Sequence, residues 1–444
     1  MVKKDLKYIC NNCLEKFFTW SGKCPNCGEW NTIEEKIDLN KNSKIKGKII
    51  ESSNLSKIVL NNNTDRILLK EKQINTVFGG GIVKGSVTLV AGEPGIGKST
   101  LLLGLADLIE SKYKILYVSA EESLSQLYLR AKRMKVNNPN LNLASNNLTD
   151  DITSTIYEKK YDLVIVDSIQ TIQIAEISSS SGSVSQITNS TNVIIEAAKK
   201  TDTSVILVGH VTKEGNIAGP KLLEHLVDVV LQFEGDKFGN FKILKALKNR
   251  FGSVNEAAIY EMSDIGLKVA LNPSKELLKE RLISDGSIVH AAMEGNQAVL
   301  VEIQALVNPT KFGYPKRTAS GFDINRLNML IAILERRTKL NLSDKDVYIN
   351  VVGGLTLKDP SSDLAVSMAI ASAAAKRKLN KDLVVIGEIG LSGEIRHVPF
   401  VKKRFDEAIN LAFKGVIGPK TKEITSKEYF STLDLKTCLN TYLK

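Results

Sequence analysis

The chain has 444 residues, of which 43% are hydrophobic and 25% are charged, and its formal net charge is +11. This length exceeds one ordinary hydrophobic core, so we expect two or three domains. No apolar run of about 18 residues occurs, and the first residues lack a signal-peptide core, so we expect a cytoplasmic protein without membrane contact. The basic excess is compatible with a nucleic-acid partner, although a lysine- and asparagine-rich proteome would give the same charge.

Four of the five cysteines lie within the first 27 residues, in two Cys-x-x-Cys pairs ten residues apart. Two such turns can direct four thiolates at one metal ion. Disulfides are the alternative, but a reducing compartment favours a structural Zn²⁺. The predicted zinc ligands are Cys10, Cys13, Cys24 and Cys27. Trp20 and Trp30 are expected to pack the small core, and Cys438 to be a buried apolar residue.

The pattern divides the rest of the chain. Residues 1–32 form the zinc-binding domain, and residues 33–63, rich in Lys, Asn and Ser, are predicted to be a flexible linker. In residues 64–272, apolar strands alternate with helical stretches, which indicates an α/β domain with a parallel sheet. Its predicted strands are Val87–Ala91, Ile115–Ser119, Leu163–Asp167, Val205–Gly209 and Val227–Phe233, with Phe241–Leu247 and Ala257–Glu261 as an antiparallel continuation.

The alternation breaks near Asn272-Pro273, and residues 273–444 form a further block. Strands and helices interleave in this block. The predicted strands are Val299–Leu306, Val347–Val352 and Val384–Gly387, and the predicted helices lie near Asn325–Arg337, Leu364–Lys376 and Val401–Phe413.

An octet between the first strand and a following helix fits the phosphate-loop pattern G-x-x-x-x-G-K-S. Such a loop wraps backbone N–H groups around phosphate oxygens at a helix N-terminus. Lys98 is predicted to reach the β- and γ-phosphates of ATP, and the Ser99 hydroxyl to ligate Mg²⁺. The alternative, a turn that binds nothing, fits poorly with a strand, a full octet and a helix in succession. The predicted nucleotide-binding residues are Gly92, Glu93, Pro94, Gly95, Ile96, Gly97, Lys98, Ser99 and Thr100.

Polar residues end three further apolar strands. Asp167 has the form of a Walker B carboxylate, which holds the Mg²⁺ water shell. Glu121 or Glu122 could orient and deprotonate the attacking water, and the alternative is an acidic cluster at a helix N-terminus. His210 could sense the γ-phosphate or be a structural histidine, and the sequence leaves both open.

Lys248-Asn249-Arg250-Phe251-Gly252 closes a later strand with two cations. In a ring ATPase such cations can complete the neighbouring subunit's site and stabilise charge on the transferred phosphoryl group. An exposed pair of charges at a strand end is the alternative.

Together these elements resemble the bacterial RadA (Sms) family of DNA repair proteins over essentially the whole chain. The resemblance implies an α/β RecA-like P-loop core with a parallel sheet, a small N-terminal zinc ribbon, and a C-terminal α+β domain similar to the Lon peptidase domain. It also implies an ATPase of homologous recombination that binds single-stranded DNA and branched intermediates, and that drives branch migration or helicase-like unwinding. A hexameric ring and a RecA recombinase partner are implied as well. The motifs that carry the resemblance are the four cysteines, Gly92–Ser99, Ser119–Ser123, Gly209–Gly215 and Lys248–Gly252.

By that resemblance, Glu121 matches the general base, and Lys248 and Arg250 act across a subunit interface or couple ATP to DNA. Residues 178–186 and 212–221 resemble the DNA-facing loops of the core. Both segments are small and polar, and the second offers Lys213 and Lys221 to phosphates.

In the C-terminal block, Ser361 matches the nucleophile position of Lon-like peptidases and Lys402 the position of the base. A Ser–Lys dyad needs a desolvated amine, whereas the flanking Asp359 and Asp363 favour a charged ammonium. We therefore expect an inactive scaffold for oligomerisation and DNA binding. The other hypotheses are an ATP-dependent Lon-like serine peptidase and an ATP-switched DNA-binding scaffold without motor activity. The cations available to a scaffold are Lys311, Lys316, Arg317, Arg336 and Arg337.

Overall fold

A computed structural model describes residues 8–35 apart from 14 and 31, together with 66–210, 220–235, 241–311 and 313–443. The predicted linker therefore lies mostly outside the described residues. The chain divides into two compact units, Met1–Leu60 and Asn61–Lys444. Among the residues described, no helix combines the length and the apolarity needed to cross a bilayer.

The first unit contains a three-stranded antiparallel sheet in the order β2-β1-β3. Its strands are β1 (Tyr8–Cys10), β2 (Lys16–Phe17) and β3 (Ile33–Glu35), so the sheet extends three residues beyond position 32. The expectation for the tryptophans is wrong, because Trp20 and Trp30 are 60% and 67% exposed. The thiols of Cys10 and Cys24 pack with Ile33 instead, because so small a unit closes around its cysteine cluster.

The second unit begins with a short antiparallel pair and continues into a nine-stranded sheet in the order β14-β13-β12-β11-β6-β10-β9-β7-β8. Strands β6 to β11 run parallel, and β12 to β14 continue antiparallel as predicted. This arrangement agrees with the α/β core with a parallel sheet that the sequence predicts. The strands are β4 (Arg66–Ile67), β5 (Ile82–Val83), β6 (Val87–Gly92), β7 (Ile115–Ser119), β8 (Leu141–Ser145), β9 (Leu163–Asp167), β10 (Ser204–His210), β11 (Val229–Glu234), β12 (Phe241–Asn249), β13 (Ala257–Ser263) and β14 (Gly266–Val269).

Helices cover both faces of this sheet, as crossover connections between parallel strands require. Ser123 caps the helix Leu124–Arg133 through a capping box with Gln126, and Ser183 caps the helix Val184–Thr201. The helices are α1 (Lys72–Val77), α2 (Lys98–Leu108), α3 (Leu124–Arg133), α4 (Thr149–Lys159), α5 (Val184–Thr201) and α6 (Pro220–Leu226). Because parallel strands end at one edge, the residues that follow β6, β7, β9 and β10 are brought together there.

The remaining residues form a seven-stranded mixed sheet in the order β17-β18-β16-β15-β19-β22-β23, with a separate β20-β21 pair. One hydrophobic core joins this sheet to β12 and β13 through Phe241, Ile243 and Ile259. The strands are β15 (Ser287–Glu294), β16 (Gln297–Pro309), β17 (Arg317–Ser320), β18 (Lys345–Val351), β19 (Leu383–Val385), β20 (Glu388–Ile389), β21 (Ile395–Arg396), β22 (Gly415–Pro419) and β23 (Tyr429–Thr432). The helices are α7 (Pro273–Leu278), α8 (Ile324–Thr338), α9 (Asp363–Ala375), α10 (Val401–Asn410) and α11 (Leu435–Tyr442).

Candidate functional site

The phosphate-loop octet connects β6 directly to α2. Two glycines make this connection possible. Gly97 adopts a φ of 108°, in the left-handed region that side chains avoid, and a Cβ on Gly92 would lie 2.5 Å from the Phe233 carbonyl oxygen. The loop therefore lies against β11 and turns sharply into the helix. Its backbone N–H groups meet the amino end of α2, which suits a phosphate anion.

The Lys98 side chain folds back over this loop. Its Nζ atom donates hydrogen bonds to the Gly92 and Glu93 carbonyl oxygens and to His210 Nδ1, each at 2.9 Å. Burial lowers the pKa of Lys98 to about 8, against the opposing charges of Asp167 and Glu121. The amine is thus the buried cation of the loop, and two of its three hydrogen bonds go to carbonyl groups of the loop itself.

The two neighbouring glutamates face different partners. Glu121 Oε1 accepts a hydrogen bond from Ser168 Oγ at 2.6 Å and lies 3.4 Å from His210 Nε2. Glu122 instead forms an ion pair with Arg130 of α3. A hydrogen-bonded series therefore runs from Glu121 through His210 to Lys98. Of the two glutamates, Glu121 is the one that shares this network with the phosphate loop.

Asp167, at the end of β9, is 6% exposed. The Tyr117 hydroxyl, from the neighbouring strand β7, donates a hydrogen bond of 2.7 Å to Asp167 Oδ2. Mg²⁺ binds hard oxygen ligands and retains several waters. A carboxylate on Asp167 and a hydroxyl on Ser99, in the first turn of α2, provide such ligands at one edge of the sheet, so the donor chemistry fits the predicted metal.

Lys248 and Arg250 lie at the opposite end of the parallel strands, beside the start of β6. Arg250 pairs with Asp228 Oδ1 at 2.9 Å, and Asp228 Oδ2 accepts from the Val87 N–H, where β6 begins. Lys248 Nζ donates to the Glu224 and Val227 carbonyl oxygens, at the end of α6. The length of β6, roughly 17 Å at 3.3 Å per residue, separates this end from Gly92. Within one chain, these two cations are not brought to the phosphate loop.

The four cysteines of the first unit converge. All four Sγ atoms lie within 4.8 Å of one another, with Cys10 and Cys27 3.7 Å apart and Cys13 and Cys24 3.6 Å apart. Tetrahedral Zn²⁺ with Zn–S bonds of about 2.3 Å holds its sulfurs about 3.8 Å apart. The thiol cluster therefore fits a zinc ion. Cys438, on α11, is 1% exposed, as predicted.

Three family models match parts of the chain: "AAA domain" over residues 59–216, "Subunit ChlI of Mg-chelatase" over 326–422, and "Rubredoxin metal binding domain" over 8–35. The DNA repair protein RadA of Aquifex aeolicus is 44% identical over 96% of this chain and 95% of its own length. RadA of Bacillus subtilis is 45% identical over 94% and 93%, and RadA of Rickettsia bellii is 44% identical over 98% of each. The chain belongs to the DNA repair protein RadA family.

Among solved structures, the RadB recombinase is 23% identical and covers 44% of this chain and 96% of its own. The TM-score of this comparison is 0.35. The family membership instead agrees with what the described residues contain: an ATP-binding core, a four-cysteine zinc ribbon and a carboxyl-terminal α+β sheet.

The peptidase-like loop of this RadA-family protein is arranged differently from its phosphate loop. Ser361 is fully buried, and its Oγ has no hydrogen-bond partner among the described residues. Lys402 is exposed, and no hydrogen bond joins it to Ser361 in the part of the chain that is described. Asp359 pairs with Arg404, which is fully buried, and Asp363 pairs with Arg326. The structure does not bring Ser361 and Lys402 together.

The structure describes one of the two predicted DNA-facing segments, whereas most of the other lies outside the described residues. Residues 211–219, with Thr212 and Lys213, lie outside the described residues, as does the side chain of Lys221. Residues 178–186 are ordered by Gln186, whose Nε2 donates to the Ile177 and Ser179 carbonyl oxygens at 2.9 and 3.0 Å. This segment therefore leads into the start of α5 as a folded turn.

Sequence reasoning missed four side chains that shape these sites: Tyr117, Ser168, Arg326 and Arg404. Tyr117 and Ser168 lie within or beside apolar strands and resemble ordinary core residues in the sequence. Arg404 stands among six exposed or half-exposed residues of α10 and resembles a surface cation. Only the positions of their partners, 37 to 50 residues away in sequence, distinguish them.

Proposed function

We propose that this RadA-family protein is a DNA-dependent ATPase that binds single-stranded DNA and drives branch migration or helicase-like unwinding of recombination intermediates as a hexameric ring. The observation that carries the proposal is the convergence of Lys98, His210, Glu121 and Ser168 in one hydrogen-bonded network beside the phosphate loop. Such a network connects Lys98, which would bind the phosphates, to Glu121, which would contact the attacking water.

In this proposal each residue has a separate task. The loop backbone N–H groups and Lys98 hold the phosphates, and Ser99 and Asp167 hold the Mg²⁺ ion that accompanies ATP. That ion, when bound, neutralises charge on the β- and γ-phosphate oxygens. Glu121 orients the attacking water and accepts its proton. His210, which lies between Glu121 and Lys98, changes its hydrogen-bond partners when the γ-phosphate is present. It passes this change to the segment that follows β10.

The second cation of the site is proposed to come from another subunit. Among the described residues, Lys98 is the cation in the hydrogen-bonded network of the phosphate loop. Arg250 lies at the far edge of its own sheet with a side chain 52% exposed. A head-to-tail ring would place such an exposed edge against the neighbour's phosphate loop. Arg250 then stabilises charge on the transferred phosphoryl group, while Lys248 holds the end of α6 and couples turnover to DNA.

DNA engagement is proposed for the segments that follow β9 and β10, with the net charge of +11 as electrostatic support. These segments begin at the edge where ATP is hydrolysed, so a change in His210 reaches them directly. The exposed cations Lys311, Lys316, Arg336 and Arg337 offer further phosphate contacts. The proposal also includes a RecA recombinase as a partner and a cytoplasmic location.

The decisive experiment mixes two inactive subunits. Arg250→Ala is expected to lower turnover by about two to five powers of ten while ATP binding persists, and Lys98→Ala lacks the loop cation. Mixed rings recover part of the activity, because an intact loop then meets an intact arginine of the neighbour. Arg377→Ala, which removes an exposed arginine remote from the site, serves as control. Proven co-assembly without recovery would contradict an arginine that acts between subunits.

The variant Lys248→Ala distinguishes a motor from an ATP-switched scaffold without motor activity. If the protein is a motor, this variant binds single-stranded DNA but loses directional branch migration on a synthetic three-way junction. Equal strand exchange by wild type and variant, with or without ATP, would favour the scaffold. A peptidase is disfavoured by the burial of Ser361 and the exposure of Lys402.

A further inference from the structure

Each of the two carboxylates of the site accepts a hydrogen bond from a hydroxyl group that belongs to the neighbouring strand. Strands β7 and β9 are parallel neighbours, with Ser119 opposite Asp167. Tyr117, on β7, donates to Asp167 at the end of β9. Ser168, directly after β9, donates to Glu121, which follows β7. Each strand therefore supplies the hydroxyl that holds the acid of the other strand.

The hydroxyl donors of both hydrogen bonds lie in the protein interior, and of the two acceptors Asp167 is 6% exposed whereas the Glu121 side chain is 42% exposed. Tyr117 and Ser168 are fully buried. Burial, and then the charge of Asp167, raise the pKa of Tyr117 well above its usual value, so the phenol remains a donor. In a medium of low dielectric constant, a hydrogen bond to a charged group is strong and directional. Such bonds can fix the rotation of a carboxylate more firmly than exposed contacts can.

A second contact fixes the donor of Glu121. Thr171 Oγ1 donates to the Ser168 carbonyl oxygen at 2.8 Å and lies 3.3 Å from Ser168 Oγ. The Ser168 side chain is thus held between Thr171 and Glu121. The Tyr117 side chain is held as well, because it is fully buried in the hydrophobic core that also contains Leu101 and Leu127.

We propose that Tyr117 and Ser168 are positioning residues that set the two carboxylates independently. Tyr117 holds Asp167 through Oδ2 and would leave Oδ1 available to a bound Mg²⁺ or its water shell, and Ser168 holds Glu121, which would orient the attacking water. This inference rests on the proposed ATP hydrolysis and adds the side chains that prepare its two acids. It predicts that loss of each hydroxyl affects a different step.

The first test is Tyr117→Phe, read as binding of a fluorescent mant-ADP probe in Mg²⁺ and in EDTA. Loss of a hydrogen bond behind a metal ligand typically costs 10–100-fold in metal affinity. We therefore expect the Mg²⁺ concentration that supports binding to rise about tenfold, with unchanged affinity in EDTA. Tyr260→Phe is the matched control, because its hydroxyl is buried without a partner among the described residues. Equal Mg²⁺ requirements in wild type and Tyr117→Phe would overturn the assignment of Tyr117.

The second test is Ser168→Ala, read as kcat, KM and the Mg²⁺ requirement. We expect kcat to fall by about a hundredfold, the lower end of what a positioned proton acceptor contributes, with KM and the Mg²⁺ requirement unchanged. Ser204→Ala, which removes a buried hydroxyl at the start of β10, is the control. A wild-type kcat would overturn the assignment of Ser168.

The double variant tests independence. If each hydroxyl holds its own carboxylate, the two defects persist side by side and multiply in kcat/KM. A merely structural role would lower the melting temperature and both readouts together in each single variant, which contradicts the proposal. Wild-type protein that binds mant-ADP without regard to Mg²⁺ would instead contradict the proposed ATPase site. The two failures are therefore distinguishable.

Discussion

The phosphate loop, residues 92–99, and the peptidase-like loop, residues 359–363, both resemble catalytic motifs, yet their surroundings differ. Around the phosphate loop, groups from three strands meet: Lys98 contacts His210, and His210 contacts Glu121. Around the second loop, the charged groups neutralise one another. Arg404 and Arg326 pair with the two aspartates, and the serine between them is buried without a partner among the described residues.

The difference separates a site that is prepared for a ligand from one that is internally satisfied. Lys98 makes two of its three bonds to backbone carbonyl groups, which a phosphate can replace at modest cost. The ion pairs of the second loop are largely buried, and to break one would leave an uncompensated charge. A motif in the sequence therefore indicates chemistry only if its polar groups are free to exchange partners.

The largest effect is expected at the phosphate loop. Lys98→Ala should lower ATP hydrolysis by at least about a hundredfold, because one donor to developing charge in a dry site contributes 10²–10³ in rate. Steady-state phosphate release measures it, with Lys132→Ala, an exposed lysine of α3, as control. Full turnover in Lys98→Ala would show that the two loops do not differ as argued.

Arg404, the cation of α10 that pairs with Asp359 of the second loop, should contribute to stability. Arg404→Met is expected to lower the free energy of unfolding by about 3 kcal/mol, the lower end for a broken buried ion pair, because Asp359 is one third exposed. Urea denaturation measures this loss. The adjacent Lys403→Ala removes an exposed amine and should cost less than about 1 kcal/mol. Similar values for both variants would refute a structural role for the buried pair.

The exchange of partners by Lys98 should be visible as proton uptake. Burial lowers its pKa to about 8, so the amine is largely neutral at pH 9, and a bound phosphate restores the ammonium. Binding of ADP at pH 9 should therefore take up as much as one proton, whereas binding at pH 7 should take up none through this group. Calorimetry in two buffers of different ionisation enthalpy measures the uptake. Lys98→Arg stays charged at both values of pH, and uptake that persists in this variant would come from another group.

The smallest effect is expected for Ser361→Ala. Removal of a buried hydroxyl without a partner is close to neutral or slightly stabilising, so ATP turnover and the urea midpoint should stay near wild type. Ser367→Ala, which removes a second such hydroxyl from α9, is the matched comparison. Labelling of Ser361 by a fluorophosphonate probe would contradict this view and revive the peptidase hypothesis.

Most elements with strong apolar patterns were predictable, although the buried strand Ser287–Glu294 was missed. The strands Ile115–Ser119 and Leu163–Asp167 are confirmed residue for residue, and the other predicted strands differ by a few residues at their ends. The strand Leu141–Ser145 was missed because it lies at the edge of the sheet and is only half-buried, so it shows no apolar run. The side chains that hold the carboxylates were missed for a related reason, since a tyrosine or serine beside a core strand has no distinctive pattern.

The sequence by itself determined the phosphate loop, the four-cysteine cluster and the α/β class, because spacing along the chain is enough to set local turns and strand burial. The tertiary structure decided which glutamate shares the network of Lys98, where Arg250 lies relative to the loop, and how Ser361 is enclosed. These outcomes depend on strand order and on contacts between residues tens of positions apart. Strand order follows from how all the strands and helices pack together, and no local pattern encodes it.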